Sequence, residues 1–191
     1  MDTKSIMIVG VGGQGSLLAS RIIGHVLLMQ GYEVKVSEVH GMSQRGGSVV
    51  TYVKYGDKVY SPVVEKGEAD LIVSFEQLEA ARSLPYLKKG GTLITSTQKL
   101  DPMPVITGAM KYPEDIFNQF RDLGINFIPV NALQLAEEAG SAKASNVVLM
   151  GVVSTKMDID KEEWLKAIEE CVPAKFLELN KKAFELGREC Y

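Results

Sequence analysis

Cysteine is nearly absent from this chain of 191 residues: only Cys171 and Cys190 occur. Two thiols are too few for an iron–sulfur cluster, which takes about four cysteine ligands. A chain this rich in apolar residues also has little use for a disulfide scaffold. Cys171 falls in an apolar helical pattern and reads as a buried thiol, and Cys190, near the end of the sequence, reads as exposed. Histidine is equally scarce, at His25 and His40, and no His/Cys cluster has metal-ligand spacing, so no metal site is expected. Charge of one sign is missing too. The formal net charge is -3, which carries no signature of nucleic acid or of an anionic membrane. No apolar run is long enough to cross a bilayer and no signal peptide precedes the first strand. No serine elbow, internal repeat, low-complexity tract or linker is found. The expectation is one reduced, cytoplasmic domain over residues 1–191.

What the chain has is glycine in a telling place. Ser5 to Val9 is a short apolar strand that runs into Gly10-Val11-Gly12-Gly13-Gln14-Gly15. Gly10, Gly12 and Gly15 fit the G-x-G-x-x-G spacing, and Gly13 adds further bare backbone. A long amphipathic helix starts near Gln14, carries Leu17, Leu18, Ile22, Ile23, Val26 and Leu27 at helical spacing, and ends at Gly31. Glu33 to Glu38 is the second strand, so the opening reads as β-α-β. A turn without side chains lets an anion or another protein surface approach the helix N-terminus. It also simply lets helix and sheet pack. A dinucleotide site would want an acid at the tip of the second strand. Glu38 is slightly too far on and Ser37 is neutral, which disfavours NAD.

Farther along, Ser48 to Lys54 reads as a strand, Tyr55-Gly56-Asp57 as a turn, and Lys58 to Ser61 as the returning arm of a hairpin. Ala69 to Ser74 is a strand, Glu76 to Leu87 a helix stopped by Lys88, Lys89, Gly90 and Gly91, and Thr92 to Ser96 a strand. The prolines in Asp101 to Pro104 break regular structure. Pro113 opens a helix to Leu123 capped by Gly124, Ile125 to Pro129 is a strand, and Asn131 starts a helix ending at Gly140. Asn146 to Thr155 is apolar enough to be a buried helix. Asp160 caps the next helix, with Glu163 completing a capping box around Trp164, Leu165 and Ile168. Pro173 opens a last helix whose apolar side is Phe176, Leu177, Leu179 and Phe184. The expected fold is Rossmann-like: a three-layer α/β/α sandwich with a mostly parallel sheet, an inserted antiparallel hairpin and a helical C-terminus.

A second polar, glycine-rich loop runs Val39-His40-Gly41-Met42-Ser43-Gln44-Arg45-Gly46-Gly47. His40 titrates near neutrality and suits proton transfer or anion binding. Ser43 and Gln44 add a hydroxyl and an amide, and Arg45 can grip a carboxylate or phosphate through two parallel bonds. The plain alternative is a solvent loop whose Arg45 pairs locally. Strand ends beside the first glycine turn point at the ligand crevice, so the two bare loops are expected to face each other. Ser74, Phe75, Glu76 and Gln77 follow a parallel strand and either line that crevice or, for Glu76, cap a helix. Asn131 reads as an N-cap and His25 as a structural helix residue. Asn146 opens an apolar helix; a buried asparagine must be satisfied, and this one reads as holding a glycine-rich loop in place.

Taken together, Gly10 to Gly15, the stretch Glu38 to Gly47, and Asn146 with Leu149 and Gly151 resemble the gamma-type subunits of 2-oxoacid:ferredoxin oxidoreductases. The likeness is greatest to the beta subunits of the indolepyruvate branch. It spans nearly the whole chain, and the loop is far more specific than the turn. The resemblance implies a single pyruvate/ketoisovalerate oxidoreductase gamma-type domain. It implies a complex that decarboxylates a 2-oxoacid oxidatively, takes coenzyme A as co-substrate, makes an acyl-coenzyme A and passes electrons to ferredoxin. Thiamine diphosphate, magnesium and iron–sulfur clusters would sit on a large partner subunit, with no cofactor bound by this chain alone and little activity without the partner. The substrate- or anion-binding, or interface, residues would be Gly10, Gly12, Gly13, Gln14, Gly15, Glu38, His40, Gly41, Met42, Ser43, Gln44, Arg45, Gly46, Gly47 and Asn146. No residue is assigned a catalytic role. The alternative is a free-standing nucleotide- or flavin-binding protein on the same scaffold. The sequence leaves open which 2-oxoacid is used and whether the isolated chain forms a homodimer.

Overall fold

The computed structural model describes residues 2–39 and 47–191; the expectations for His40 to Gly46 lie outside these residues. Strand β1 (Lys4–Val11) is apolar on both faces and buried along Ser5 to Gly10, as a central strand should be. The glycine turn leads into α1 (Ser16–Met29), which buries Ala19, Ile22, Ile23, Val26 and Leu27. Leu17, expected on that face, is exposed. Gly31 takes a positive φ of 83° and turns the chain into β2 (Glu33–Val39). Strand β3 (Ser48–Gly56) follows.

The described strands form one sheet in the order β2-β3-β1-β4-β5-β6, with β4 (Ala69–Ser74), β5 (Leu87–Ser96) and β6 (Phe127–Val130). β1, β4, β5 and β6 run parallel. β3 lies antiparallel between β1, from Lys4↔Tyr55 to Val11↔Ser48, and β2, from Glu33↔Gly56 to Val39↔Val50. This corrects the expected hairpin. Lys58 to Ser61 forms no strand, because both edges of β3 are already taken. The segment after β3 instead crosses the sheet as a strap. Lys54, buried on β3, holds it through the Val63 carbonyl (2.9 Å) and Glu68 (2.6 Å).

The remaining elements are α2 (Gln77–Ser83), α3 (Met103–Ile106), α4 (Ile116–Asp122), α5 (Ala132–Ala139), α6 (Ser145–Ser154), α7 (Lys161–Cys171) and α8 (Leu177–Glu189). Five differ from expectation. α2 stops at Ser83, since Pro85 lies in a short turn, and Lys88 to Gly91 belong to β5, where Gly90 (φ 81°) sits in a register shift against Ala69 and Leu71. The Asp101 to Pro104 prolines do not simply break structure: Pro102 precedes α3 and Pro104 sits in its first turn, where a missing N–H costs nothing. α4 begins at Ile116 rather than Pro113, behind Asp115 in a left-handed conformation (φ 56°). Asp160 precedes α7 but makes no side-chain cap, and Glu163 pairs with Lys166 (2.7 Å) instead of closing a box. In α8 the buried face is Asn180, Ala183, Phe184 and Gly187, while Phe176 is exposed.

Alternation along β1 divides the core. Ile6 and Ile8 join the larger cluster with residues of α1, α5, α6, α7 and α8, and Met7 and Val9 join the smaller one with Ile72, Ala80, Leu93, Ile116 and Phe120. α6 is buried along its length. It crosses α8 at near backbone contact: a Cβ on Gly151 would lie 2.2 Å from the Phe184 carbonyl oxygen, and one on Gly187 2.0 Å from the Val148 carbonyl oxygen.

Two predictions follow from packing and charge. Gly151→Ala forces these helices apart and should destabilise by about 3 kcal/mol, the upper range for overpacking, read as a lowered urea midpoint. Asp70 accepts from the Ser5 N–H (3.0 Å) and from Lys88 (3.0 Å), with Lys4 at 3.4 Å. Burial pushes its carboxyl up, but these donors outweigh burial and hold it below the usual aspartate range. A depressed folded-state pKa gives stability that is present above the unfolded value and lost as pH falls through the folded one. Asp70→Asn should therefore flatten the loss of stability from ordinary aspartate pKa downward, measured by urea unfolding across that acid range.

Candidate functional site

One edge of the sheet collects the C-terminal ends of β1, β2, β4, β5 and β6 and the start of β3. The glycine turn stands at its centre. The Gly12 N–H donates to the Gly47 carbonyl oxygen (2.8 Å), so the last residue of the second loop is tied to the first. Gly12, Gly13, Gly15, Ser16 and Leu17 line a cleft of about 270 Å³ whose far wall is Val39, Val49, Val50 and Thr51. The residue where the second loop departs, Val39, and the one where it returns, Gly47, therefore both flank the turn.

Since the turn has almost no side chains, others hold it. Gln14 folds back over it: its Oε1 accepts from the Val11 N–H (2.7 Å), and its Nε2 donates to the Phe75 carbonyl (3.1 Å) and to Gln98 Oε1 (3.3 Å). Asn146, buried at the start of α6, donates to the Gly15 carbonyl (3.1 Å) and accepts from the Val147 N–H (2.9 Å). The expectation that this asparagine holds a glycine loop is met in the geometry. Gly10 and Gly15 have no room for a side chain: a Cβ would lie 2.8 Å from Gln14 Oε1 and 2.4 Å from Asn146 Nδ2 respectively. Gly13 differs, with φ 99° and nothing within 4 Å of a Cβ, so its backbone is open on the surface.

On the other side of Gly47 lies a second cleft of about 280 Å³, lined in part by Val11, Ser48, Glu76, Glu79, Arg82 and Met103. Glu76 caps α2 by accepting from the Glu79 N–H, and its other oxygen accepts from Tyr112 (2.9 Å). Burial first, then the Glu76 carboxylate, drives the Tyr112 hydroxyl well above its ordinary pKa. Glu79 accepts from the Ser48 hydroxyl and from Arg82 (2.6 Å). Both readings for Glu76 are realised, since it caps α2 and also lines this cleft, and both Glu76 and Glu79 accept from protein donors. Asn131 caps α5 as expected.

Glu38 does not join the turn. It accepts from Ser20 (3.1 Å) and faces a separate groove between α1 and α7, lined also by Arg21, His25, Glu170 and Cys171. β3 stands between β1 and β2, which moves the tip of β2 one strand spacing away from the turn. His25 pairs with Glu170 (2.9 Å) in that groove, in keeping with a structural role. Cys171 is half-buried rather than buried. Burial pushes its thiol up, Arg21 opposes the shift and Glu170 adds to it.

The sequence matches the pyruvate ferredoxin/flavodoxin oxidoreductase family over residues 5–190. This chain belongs to that family. It is 43% identical over 192 residues to the indolepyruvate oxidoreductase subunit IorB of Thermococcus kodakarensis, covering 98% of this chain and 95% of the relative. To the IorB subunit of Pyrococcus horikoshii it is 42% identical over 198 residues, with 98% and 95% covered. Its fold is similar to the crystal structure of the keto/oxoacid ferredoxin oxidoreductase gamma subunit of Geobacter sulfurreducens, with TM-score 0.72, 25% identity, and 97% and 96% of the two chains covered.

The turn's geometry sets an order of tolerance. Gly13→Ala should cost about 1–2 kcal/mol, from the left-handed backbone alone. Gly15→Ala should cost more, because it adds the collision with Asn146. Asn146→Ala should cost about 1–3 kcal/mol by removing partners from buried backbone groups. Guanidinium unfolding of the three variants should reproduce the smaller loss for Gly13→Ala than for Gly15→Ala.

Proposed function

We propose that this chain is the small subunit of a thiamine-dependent 2-oxoacid:ferredoxin oxidoreductase that converts indolepyruvate or a related 2-oxoacid to its acyl-coenzyme A. The chain shapes the active site and the subunit interface in the cytoplasm, and a large partner subunit carries the cofactors. The observation that carries this reading is the bond from Gly12 to Gly47, which ties the glycine turn to the residue preceding β3 next to an open cleft. Family membership and the likeness to indolepyruvate oxidoreductase subunits over nearly the full chain support the reaction class.

The residues present do not fit the family's cofactors. Two cysteines fall short of an iron–sulfur cluster. Glu76 and Glu79, two of the acids lining the cleft beside Gly47, already accept from Tyr112, Ser48, Arg82 and a backbone N–H, which leaves them badly placed to hold a magnesium-bound diphosphate. The cofactor chemistry is therefore assigned to the partner, with ferredoxin as the acceptor of the complex. Contact with the partner or with an anionic substrate is assigned to Gly12, Gly13, Gly15 and Gly47 on their place at the cleft, and to His40, Gly41, Met42, Ser43, Gln44, Arg45 and Gly46 on the sequence resemblance alone. Gly10, Gln14 and Asn146 support them from behind, and Glu38 is kept only as an interface residue. A nucleotide-binding role is disfavoured by Gln14. Its amide lies across the ends of β1 and β4, where a dinucleotide would cross the sheet.

The test is co-expression with a candidate large subunit of an indolepyruvate-type oxidoreductase. The tagged chain should bring down a protein containing thiamine diphosphate and iron–sulfur clusters, and the complex should reduce ferredoxin with an aryl or branched 2-oxoacid and coenzyme A. Arg45→Ala should lower turnover by at least tenfold while the complex still assembles. A purified chain that instead carries flavin or nucleotide and ignores the partner would refute the reading.

A further inference from the structure

A line of amides crosses the site edge from β6 to β1. The Thr97 N–H donates to the Val130 carbonyl (2.9 Å). The Gln77 side chain, buried at the start of α2, donates to the Thr97 carbonyl (2.6 Å), and the Gln77 N–H donates to the Gln98 carbonyl (3.0 Å). Gln98 is held in place from its own N–H, which donates to the Ser96 hydroxyl (3.2 Å). Its side-chain oxygen then receives Gln14 Nε2 (3.3 Å). The direction of this last bond is fixed by its neighbours. Gln14 must turn its oxygen to the Val11 N–H, so its nitrogen faces both the Phe75 carbonyl and Gln98. Gln98 also lines a crevice of about 470 Å³ with Gly13, Gly15, Leu133, Lys143 and Ser145, so the same residue both braces the turn and forms the wall beside it.

We infer that Gln98 is a positioning residue of the enzyme, acting through Gln14 to set the shape of the glycine turn that faces the partner or the anionic substrate. The inference rests on the proposed function for its catalytic consequence, but the mechanical link stands on the hydrogen bonds alone. Phe75 alone leaves the Gln14 amide one acceptor. Gln98 supplies the second, and through Gln77 and Thr97 it ties the turn to the ends of the other parallel strands. Without that second acceptor the amide swings, the Val11 N–H loses its partner part of the time, and the backbone from Gly12 to Gly15 loses its fixed direction. Binding of the group that faces the turn weakens, while chemistry on the partner continues at nearly its normal rate.

Two readouts separate this inference from the functional reading. In the isolated chain, Gln98→Leu should speed hydrogen exchange of the Val11 N–H about fivefold, the scale of one neutral hydrogen bond, measured by NMR. Gln98→Glu, which keeps an acceptor oxygen, should stay within twofold of wild type. Gln98→Asn, which withdraws the oxygen by one methylene, serves if Gln98→Leu does not fold. In the assembled complex, Gln98→Leu should raise the KM for coenzyme A about fivefold with kcat within twofold. It should add almost nothing in a Gln14→Leu background, because a residue acting through another is non-additive with it. Unchanged Val11 exchange in Gln98→Leu, equal loss in Gln98→Glu, or a full additive effect on Gln14→Leu each overturns the inference. A wild-type complex that turns over no 2-oxoacid overturns the proposed function instead, and the exchange measurement still decides the link.

Discussion

A turn made of Gly10, Gly12, Gly13 and Gly15 cannot hold its own shape, and the architecture of this edge answers that constraint. Glycine loses more conformational freedom on folding than any other residue, so a run of them stays ordered only if neighbours supply the bonds. Three do so from three directions. Gln14 supplies them from within, Asn146 from the buried helix α6, and Gly47 from just before strand β3. Each is placed by a separate layer of the fold. The depth of Asn146 depends on how closely α6 approaches the sheet and α8, and that approach is set where Gly151 and Gly187 bring the two helix backbones together. The same helix thus carries both the close contact with α8 at Gly151 and, at its start, the asparagine that holds the turn.

The insertion of β3 changes what a Rossmann-like edge can do. Where β1 and β2 are neighbours, an acid at the tip of β2 reaches a ribose bound over the first turn. Here β3 lies between them, and Glu38 turns away to Ser20. Fold alone does not choose a ligand, and this fold makes the point locally. The scaffold that elsewhere cradles a dinucleotide has the Gln14 amide across the ends of β1 and β4 and leaves the backbone exposed at Gly13 beside it.

Much of this was legible in the sequence, and what was not has a common cause. β1, β4, α1, α5 and α6 announce themselves through apolar runs, helical spacing, and the caps at Gly31, Asn131 and Gly140, all of which are local signals. The pairing of β3 was not legible. Its antiparallel partners β1 and β2 are chosen by the whole sheet, and the nearest candidate, Lys58 to Ser61, loses to them. Lys88 to Gly91 look like a helix stop because lysines and glycines usually end one, but Pro85 has already ended α2, and the glycines serve a bulge in β5. At the site, the glycine turn, Gln14 and Asn146 were readable as a pattern. Gln77 stood out only as one of four residues after a strand and Gln98 not at all, because a polar residue after a strand has no periodicity and its bonds exist only once β4, β5 and β1 stand side by side.

The choice of amides rather than charges across this edge has a physical reason. The N-terminus of α1 carries the positive end of the helix dipole at Gly15. A carboxylate at position 14 would accept from the Val11 N–H and suit that dipole, but its second oxygen would face the Phe75 carbonyl, an acceptor with no proton to share. A lysine would satisfy that acceptor and leave Val11 unpaired beside a like-signed helix end. Glutamine supplies one acceptor and two donors with no net charge, which matches the groups around it. The edge is thereby closed without neutralising the field of α1, and that field stays directed at whatever negative group approaches Gly13.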